Sequence, residues 1–286
     1  MRIVILAPSV YSETACAMAA HLAESGYVPV GALAISSLNS KTLLRKLGQW
    51  GSAEVVRYAF SKLISPNTSQ PSANNPYLDP MLKSEAATFR SLRDVAAHYG
   101  FPVTFCHDMN SDHSLARLTK CAPDLIVFTG GNILRARLLE IPTRGVLNVH
   151  LGLLPEIRGM SSPEWSLLEN VPLGVTIHYM DSGIDTGPIL KKYEFVPENK
   201  CDSLSELRHR LIAFGVEKTA EVVAGLDRGH LSAQPQPDLD RDKNKNKHTN
   251  TSSNKNGQFF VMHEWLSSKA AERLTHHRTL TQTAHG

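Results

Sequence analysis

Short apolar runs alternate with helical patterns along most of the chain. Ile3 to Ala7 is continuous and β-branched-rich, as expected of a strand buried on both faces of a parallel sheet. A helical stretch follows, with Ala15, Met18, Ala19 and Leu22 on one face, and it ends near Gly26. Val28 to Ala34 reads as a second strand. Further strand runs are Val103 to Phe105, Leu125 to Phe128 and Gly145 to His150, with helical patterns at Glu85 to Tyr99 and Asp112 to Lys120 between them. Gly174 to Tyr179 and Ile189 to Phe195 are two more strands, and Ser203 to Leu226 is a long helix with Leu204, Leu207, Leu211, Phe214 and Val222 on its apolar side. This alternation predicts an α/β domain with a doubly wound, mostly parallel sheet over residues 1–232.

Two stretches break the rhythm. Residues 38–81 form a basic insertion ending in turn-rich sequence around Ser65-Pro66-Asn67 and Asn74-Asn75-Pro76, either a lid or a surface excursion, with the excursion preferred. Residues 233–258 are almost wholly Pro, Asp, Lys, Asn, Ser and Thr. They read as a disordered linker because so little apolar surface cannot offset the entropy of ordering. Beyond them, residues 259–286 place Phe259, Met262, Leu266, Lys269 and Arg273 at helical spacing, which fits a short helix docking on the domain or on a partner.

Composition narrows the classes. A formal charge of +3 over 286 residues, with basic and acidic residues interspersed, gives nucleic-acid binding little support. Cys16, Cys106, Cys121 and Cys201 lie far apart without a C-x-x-C pair, as expected of reduced thiols, mostly core residues, in a cytoplasmic protein. The apolar run at the N-terminus is too short for a signal peptide or a membrane span. His107 and His113 flank Asp108 and Asp112 without completing a ligand set, so no metal is expected. Gly130-Gly131 is not a dinucleotide fingerprint, because G-x-G-x-x-G is missing after the first strand.

The unusual residues cluster in 145–159 and 174–188. On a strand Asn148 and His150 face the same way, so an amide and an imidazole converge on one small region at a sheet end. Acyl transfer to an amine needs a donor for a developing oxyanion and a route for a proton between two nitrogens. Asn148 can donate to the oxyanion, His150 can donate as an imidazolium or relay a proton, and a carboxylate can orient the imidazole and accept a proton from the amine. Asp185, in the loop Gly183-Ile184-Asp185-Thr186-Gly187-Pro188, is chosen for that carboxylate. His178 either steadies the loop or is structural. Arg158 either binds an acceptor anion or pins its own loop, with the second preferred.

These motifs resemble the folate-dependent formyltransferase family: Asn148-x-His150, Leu153-Leu154-Pro155, Arg158-Gly159, Gly174-Val175-Thr176-x-His178 and Asp185-x-Gly187-Pro188. The resemblance covers residues 125–226 well and the first strand loosely. It implies a Rossmann-like formyltransferase fold, Asn148, His150 and Asp185 as the catalytic trio, and 10-formyltetrahydrofolate as formyl donor. It also implies a pterin held between Gly130, Gly131, Asn132, Ile133 and Leu134 on one side and Asp181, Ser182, Gly183 and Ile184 on the other, walled by Ile133 and Leu134. Many members carry Pro-Ser or Gly-Ser after the motif histidine, where this chain has Leu151-Gly152, which puts acceptor contacts in doubt.

The implied acceptor is a small-molecule primary amine. Pro8 to Glu13 lacks the glycine- and asparagine-rich phosphate loop expected of a glycinamide ribonucleotide enzyme. A polar linker and one helix stand where a tRNA enzyme adds a β-barrel, and the sheet begins at residue 3, where the deformylase carries a further domain. Elimination leaves a nucleotide-linked amino sugar. Rivals are a methionyl-tRNA or glycinamide ribonucleotide formyltransferase, a formyltetrahydrofolate hydrolase, and a non-catalytic folate-binding module. A homo-oligomer is compatible with the sequence.

Overall fold

The computed structural model describes residues 1–36, 75–84, 87–197, 201–237 and 258–282, with side chains of the last helix described as far as Leu274. Its centre is a seven-stranded sheet. In chain order the strands are β1 (Ile3–Ala7), β2 (Gly31–Ile35), β3 (Val103–Cys106), β4 (Leu125–Phe128), β5 (Gly145–His150), β7 (Gly174–Tyr179) and β8 (Ile189–Glu194), arranged β3-β2-β1-β4-β5-β7-β8. The first five are mutually parallel, whereas β5–β7 and β7–β8 pair antiparallel. Strand order reverses between β1 and β4, and a doubly wound sheet opens a ligand crevice at such a point.

Helices cover both faces, as predicted. On one face lie α1 (Glu13–Glu24), α2 (Leu92–Tyr99) and α6 (Leu204–Asp227), packed on Ile3, Ile5, Leu147 and Ile177. The small side chains of α1 bring it close to α6: Ala15, Ala17, Ala19 and Ala20 are all fully buried. Opposite them, α3 (Asp112–Cys121) and α4 (Ala136–Leu139) cover Val4, Leu6, Ile126 and Val146. Serine caps start α1, α2, α3 and α6, with Ser12, Ser91, Ser111 and Ser203 each accepting from a backbone N–H of the first turn. Cys16 sits in this core, and burial above all pushes its thiol pKa up to about 12.

Several boundaries differ from expectation. The second strand starts at Gly31 rather than Val28, because Gly31 is the residue that pairs with Val4. The helix expected from Glu85 starts at Leu92, where the Ser91 hydroxyl caps it; Glu85 itself lies outside the described residues. Most of the 38–81 insertion also lies outside them. Its end is described and is no surface excursion: Pro76–Met81 is a 3-10 turn with Leu78 buried against α1 and α6, and Asn75 donates to the His209 carbonyl at 3.0 Å.

The linker and tail need correction too. Gln234 exchanges two backbone hydrogen bonds with Ile189, so the ordered domain continues past residue 232, and residues 238–257 of the expected linker lie outside the described residues. Phe259, expected in a helix, belongs to a two-residue strand β9 (Gln258–Phe259) that pairs in parallel with β6 (Arg158–Gly159). The helix that follows, α7 (Glu264–Gln282), docks on α5 (Ser162–Glu169). There Phe259 stacks on Trp165 at 4.7 Å, and Met262, Ala270 and Leu274 are buried.

Candidate active site

Asn148 and His150 alternate with Leu147 and Val149 along β5, so their side chains leave the sheet on the same face. Directly opposite on β7, His178 pairs with Asn148 and Thr176 with His150, which puts four polar side chains on one face of two strands. All are satisfied. Thr176 Oγ1 donates to the Gly152 carbonyl at 2.7 Å and accepts from Leu154 N–H at 3.0 Å, which fixes the loop after His150.

The structure brings Asn148, His150 and Asp185 into one chain of contacts, with His178 at its middle. Asn148 Nδ2 lies 3.2 Å from His178 Nε2. His178 Nδ1 lies 2.8 Å from the Tyr179 carbonyl and donates to it, which turns Nε2 toward the Asn148 amide. That interaction decides which way Asn148 points and leaves its second amide hydrogen free of His178. Asp185 Oδ1 is 3.6 Å from His178 Nε2, a near neighbour rather than a hydrogen-bond partner.

Asp185 reaches this face from an unexpected direction. Because β7 runs antiparallel to β5, Tyr179 lies beside Leu147, and the loop after β7 leaves from there rather than from the end of β5. A left-handed φ of +53° at Asp185 turns the carboxylate back to His150, with Oδ2 3.3 Å from Nδ1 and 2.9 Å from the Gly159 N–H that donates to it. Gly159 itself takes φ +92°, and a Cβ there would collide with the Phe259 carbonyl, so the donor sits where β6 and β9 meet.

His150 is buried with both ring nitrogens engaged. Nε2 lies 2.7 Å from the Ile157 carbonyl and donates to it, which leaves Nδ1 facing Asp185 Oδ2 at 3.3 Å. Burial drives the His150 pKa down more strongly than the Asp185 carboxylate lifts it, so a proton arriving at Nδ1 is held weakly. At Asp185 burial pushes upward, but His178, His150 and the Gly159 N–H together outweigh it and bring the pKa to about 2. Of the two roles expected of His150, donor or proton relay, its setting between Asp185 and the Ile157 carbonyl suits the relay.

Arg158 is buried, and its Nε and Nη2 donate to Gln236 Oε1 at 3.2 and 2.7 Å, so it pins its own loop. The two loops expected to hold a pterin differ from one another. Gly130 and Gly131 adopt φ of +117° and +137°, and Asn132 Oδ1 accepts from Met109 N–H at 3.4 Å. Ile133 is 87% exposed, and Leu134 packs into the core with Val146 and Met109. In the other loop Asp181 accepts from Gly183 N–H and Thr186 Oγ1, at 3.0 and 2.6 Å, shaping the turn that carries Ser182 and the exposed Ile184. Met180, at its root, packs against the cluster that holds Leu134.

Asn148 also borders a cavity of about 280 Å³ at the strand-order reversal. Thr14, Met18, Phe128, Thr129, Gly130, Val149, Leu151, Ile212 and Val216 complete its lining, which carries no charged side chain among the described residues. Among those residues no group of three His, Cys, Asp or Glu gathers as metal ligands, and no helix is long and apolar enough to cross a membrane.

The open α/β sheet thus sets a half-buried amide, two buried imidazoles and a half-buried carboxylate in contact across two strands, and sheets of this kind bind ligands at a strand-order reversal. Residues 94–223 match the formyl transferase family. The methionyl-tRNA formyltransferase of Pelobacter propionicus is 35% identical over 146 residues, 50% of this chain and 46% of that one. Its counterpart from Aromatoleum aromaticum is 36% identical over 147 residues, with the same coverage of 50% and 46%. The matched region thus spans about half the length of either relative. Among solved structures, glycinamide ribonucleotide transformylase 1 from Symbiobacterium toebii superposes with a TM-score of 0.53 at 16% identity, covering 83% of this chain and 95% of that one. A sugar N-formyltransferase from a Shewanella species gives 0.51 at 14% identity, covering 96% and 87%. These two likenesses show the fold.

The sequence did not reveal Ile157, Gly159 and Gln236. The first two act through backbone atoms, and Gln236 lay in a stretch read as a linker. For Gln236 the available signal was its setting, Pro235-Gln236-Pro237, in which two prolines stiffen the chain around one long amide.

Proposed function

We propose that this chain transfers a formyl group from 10-formyltetrahydrofolate to a primary amine of a small-molecule acceptor. The observation that carries this reading is the series of close polar contacts Asn148, His178, Asp185 and His150, set within a segment that matches the formyl transferase family. The donor supplies an electrophilic formyl carbon. Ile133 and Ile184, one exposed isoleucine on each candidate pterin loop, suit the faces of a flat heterocycle.

In this reading a carbon–nitrogen bond forms to the acceptor amine and the bond to the donor nitrogen breaks, with one proton passing from the first nitrogen to the second. Asp185, ionised at neutral pH, accepts the amine proton. His150 shares that proton at Nδ1 and returns it readily, because burial disfavours the imidazolium. Asn148, its carboxamide oriented by His178, offers its remaining amide hydrogen to the carbonyl oxygen as negative charge builds there.

The uncharged cavity beside Asn148 suits a neutral, partly apolar acceptor group such as the deoxysugar ring of a nucleotide-linked amino sugar. Methionyl-tRNA is a second acceptor reading, favoured by the 35% identity to methionyl-tRNA formyltransferase over half the chain. Incubation of the full chain with 10-formyltetrahydrofolate and either a panel of UDP-, GDP- and dTDP-amino sugars or methionyl-tRNA separates the two. A product heavier by one formyl group names the acceptor. Formate released without acceptor identifies a hydrolase, and an unchanged donor under every condition overturns the assignment.

A further inference from the structure

The loop that carries Asp185 is held by a side chain from the far end of the domain. Gln234 docks on Ile189 by mutual backbone hydrogen bonds of 2.8 and 2.7 Å, and the chain then delivers Gln236 between two prolines. Gln236 Nε2 donates to the carbonyls of Asp185 and Gly187, at 2.9 and 2.7 Å, while Oε1 accepts from Arg158. One carboxamide thus joins the backbone on either side of Thr186 to the residue adjoining Gly159, whose N–H holds the Asp185 carboxylate.

Such a brace answers a local need. Asp185 is a non-glycine residue at φ +53°, a conformation that persists only where surrounding contacts over-determine it. The turn it occupies exposes Ile184 and makes its internal side-chain bonds through Asp181. Two donations from Gln236 fix the backbone at and after Asp185, and they come from the Arg158–Gly159 side, so they set the separation between carboxylate and amide donor.

We propose that Gln236 is a positioning residue for Asp185, clamping the Asp185–Gly187 backbone against Arg158 so that the carboxylate meets His150 and Gly159. The kinetic part of this inference rests on the formyl-transfer reading; the structural part does not. The test compares purified full-length wild-type protein with Q236E and Q236M. Q236E keeps an acceptor for Arg158 and loses both donations, whereas Q236M loses all the polar contacts at similar length.

Two measurements decide it. In 13C NMR of the carboxylates, with the Asp185 signal assigned by its loss in D185N, the wild-type midpoint lies low and both variants move it up toward an ordinary aspartate. In turnover assays kcat falls about 10- to 100-fold with little change in KM for the donor, as expected when a reacting group is misplaced. A lower melting temperature with wild-type kcat and an unmoved Asp185 titration would make Gln236 merely structural and overturn the proposal. If the wild-type protein transfers no formyl group to any acceptor, the functional reading falls, and the Asp185 titration alone still rules on Gln236. Should one variant fail to fold, the other supplies the titration.

Discussion

The two faces of the β5–β7 pair share one backbone and have opposite chemistry. Leu147 and Ile177 point to the α1 and α6 side and are fully buried among apolar neighbours, so their packing is tolerant of detail and rich in stabilisation. Asn148, His150, Thr176 and His178 point the other way and are buried or half-buried as well, yet each must find a specific partner. Burying a polar group without its hydrogen bond costs more than the bond returns when made. The polar face therefore tolerates little change, and in the proposed reaction its arrangement serves proton transfer and charge stabilisation. The division of labour follows from the period of two along a strand.

The sharpest way to break this comparison is Asp185→Asn. The variant should still fold, though without the ionised carboxylate's contribution to stability, and lose formyl transfer by about 10²- to 10⁴-fold, the range for a displaced acid–base group, read as kcat/KM on the accepted amine. Turnover close to wild type would remove the polar face from the chemistry. On the apolar face Ile177→Ala should lose about 2–5 kcal/mol in urea unfolding while the folded fraction keeps its kcat, as expected of a buried truncation. If that variant held its stability and lost activity, the two faces would have to exchange roles.

Thr176→Val probes the boundary between the two. It leaves the Gly152 carbonyl and Leu154 N–H without their partner, so about 1–3 kcal/mol of stability should go, measured by the same unfolding curve. The smallest effect expected is one of pH. The Asp185 pKa in the folded protein, about 2, lies below its ordinary 3.8, so its stabilisation is complete above the ordinary value and fades as pH falls through 2. That contribution is on the order of 2 kcal/mol. Acid unfolding of Asp185→Asn should lack this step, and an identical acid limb in both proteins would count against the low pKa.

The strands of the sheet were legible because each is a short apolar run, and α6 because its leucines keep a helical period. Asn148 and His150 were legible as a pair from the same period of two, and Asp185 from its glycine-rich loop. Leu134 was read as a pocket wall from the family resemblance alone, and its packing beside Val146 is a tertiary contact that no local pattern announces. His150 was expected to face substrate, and the Ile157 carbonyl seven residues away claims one of its nitrogens. Gln236 left no trace beyond its two flanking prolines because its partners are backbone carbonyls about fifty positions earlier, and contacts of that kind impose no periodicity. The short β6–β9 ladder was hidden for the same reason, two residues being too few to show an alternation.

The ladder and the Gln236 brace have a joint consequence for how the gene can change. Gln236 attaches to Arg158 on one side of residues 238–257, and Gln258 pairs with the same Arg158 on the other. The intervening residues thus depart from and return to a single anchorage. Where two ends of a chain are already held together, the length of a flexible connection between them alters free energy by only about 0.6 kcal/mol per doubling. Evolution, or an engineer inserting a tag, thus meets two fixed ends there, both moored beside the loop of the carboxylate that the proposed reaction uses.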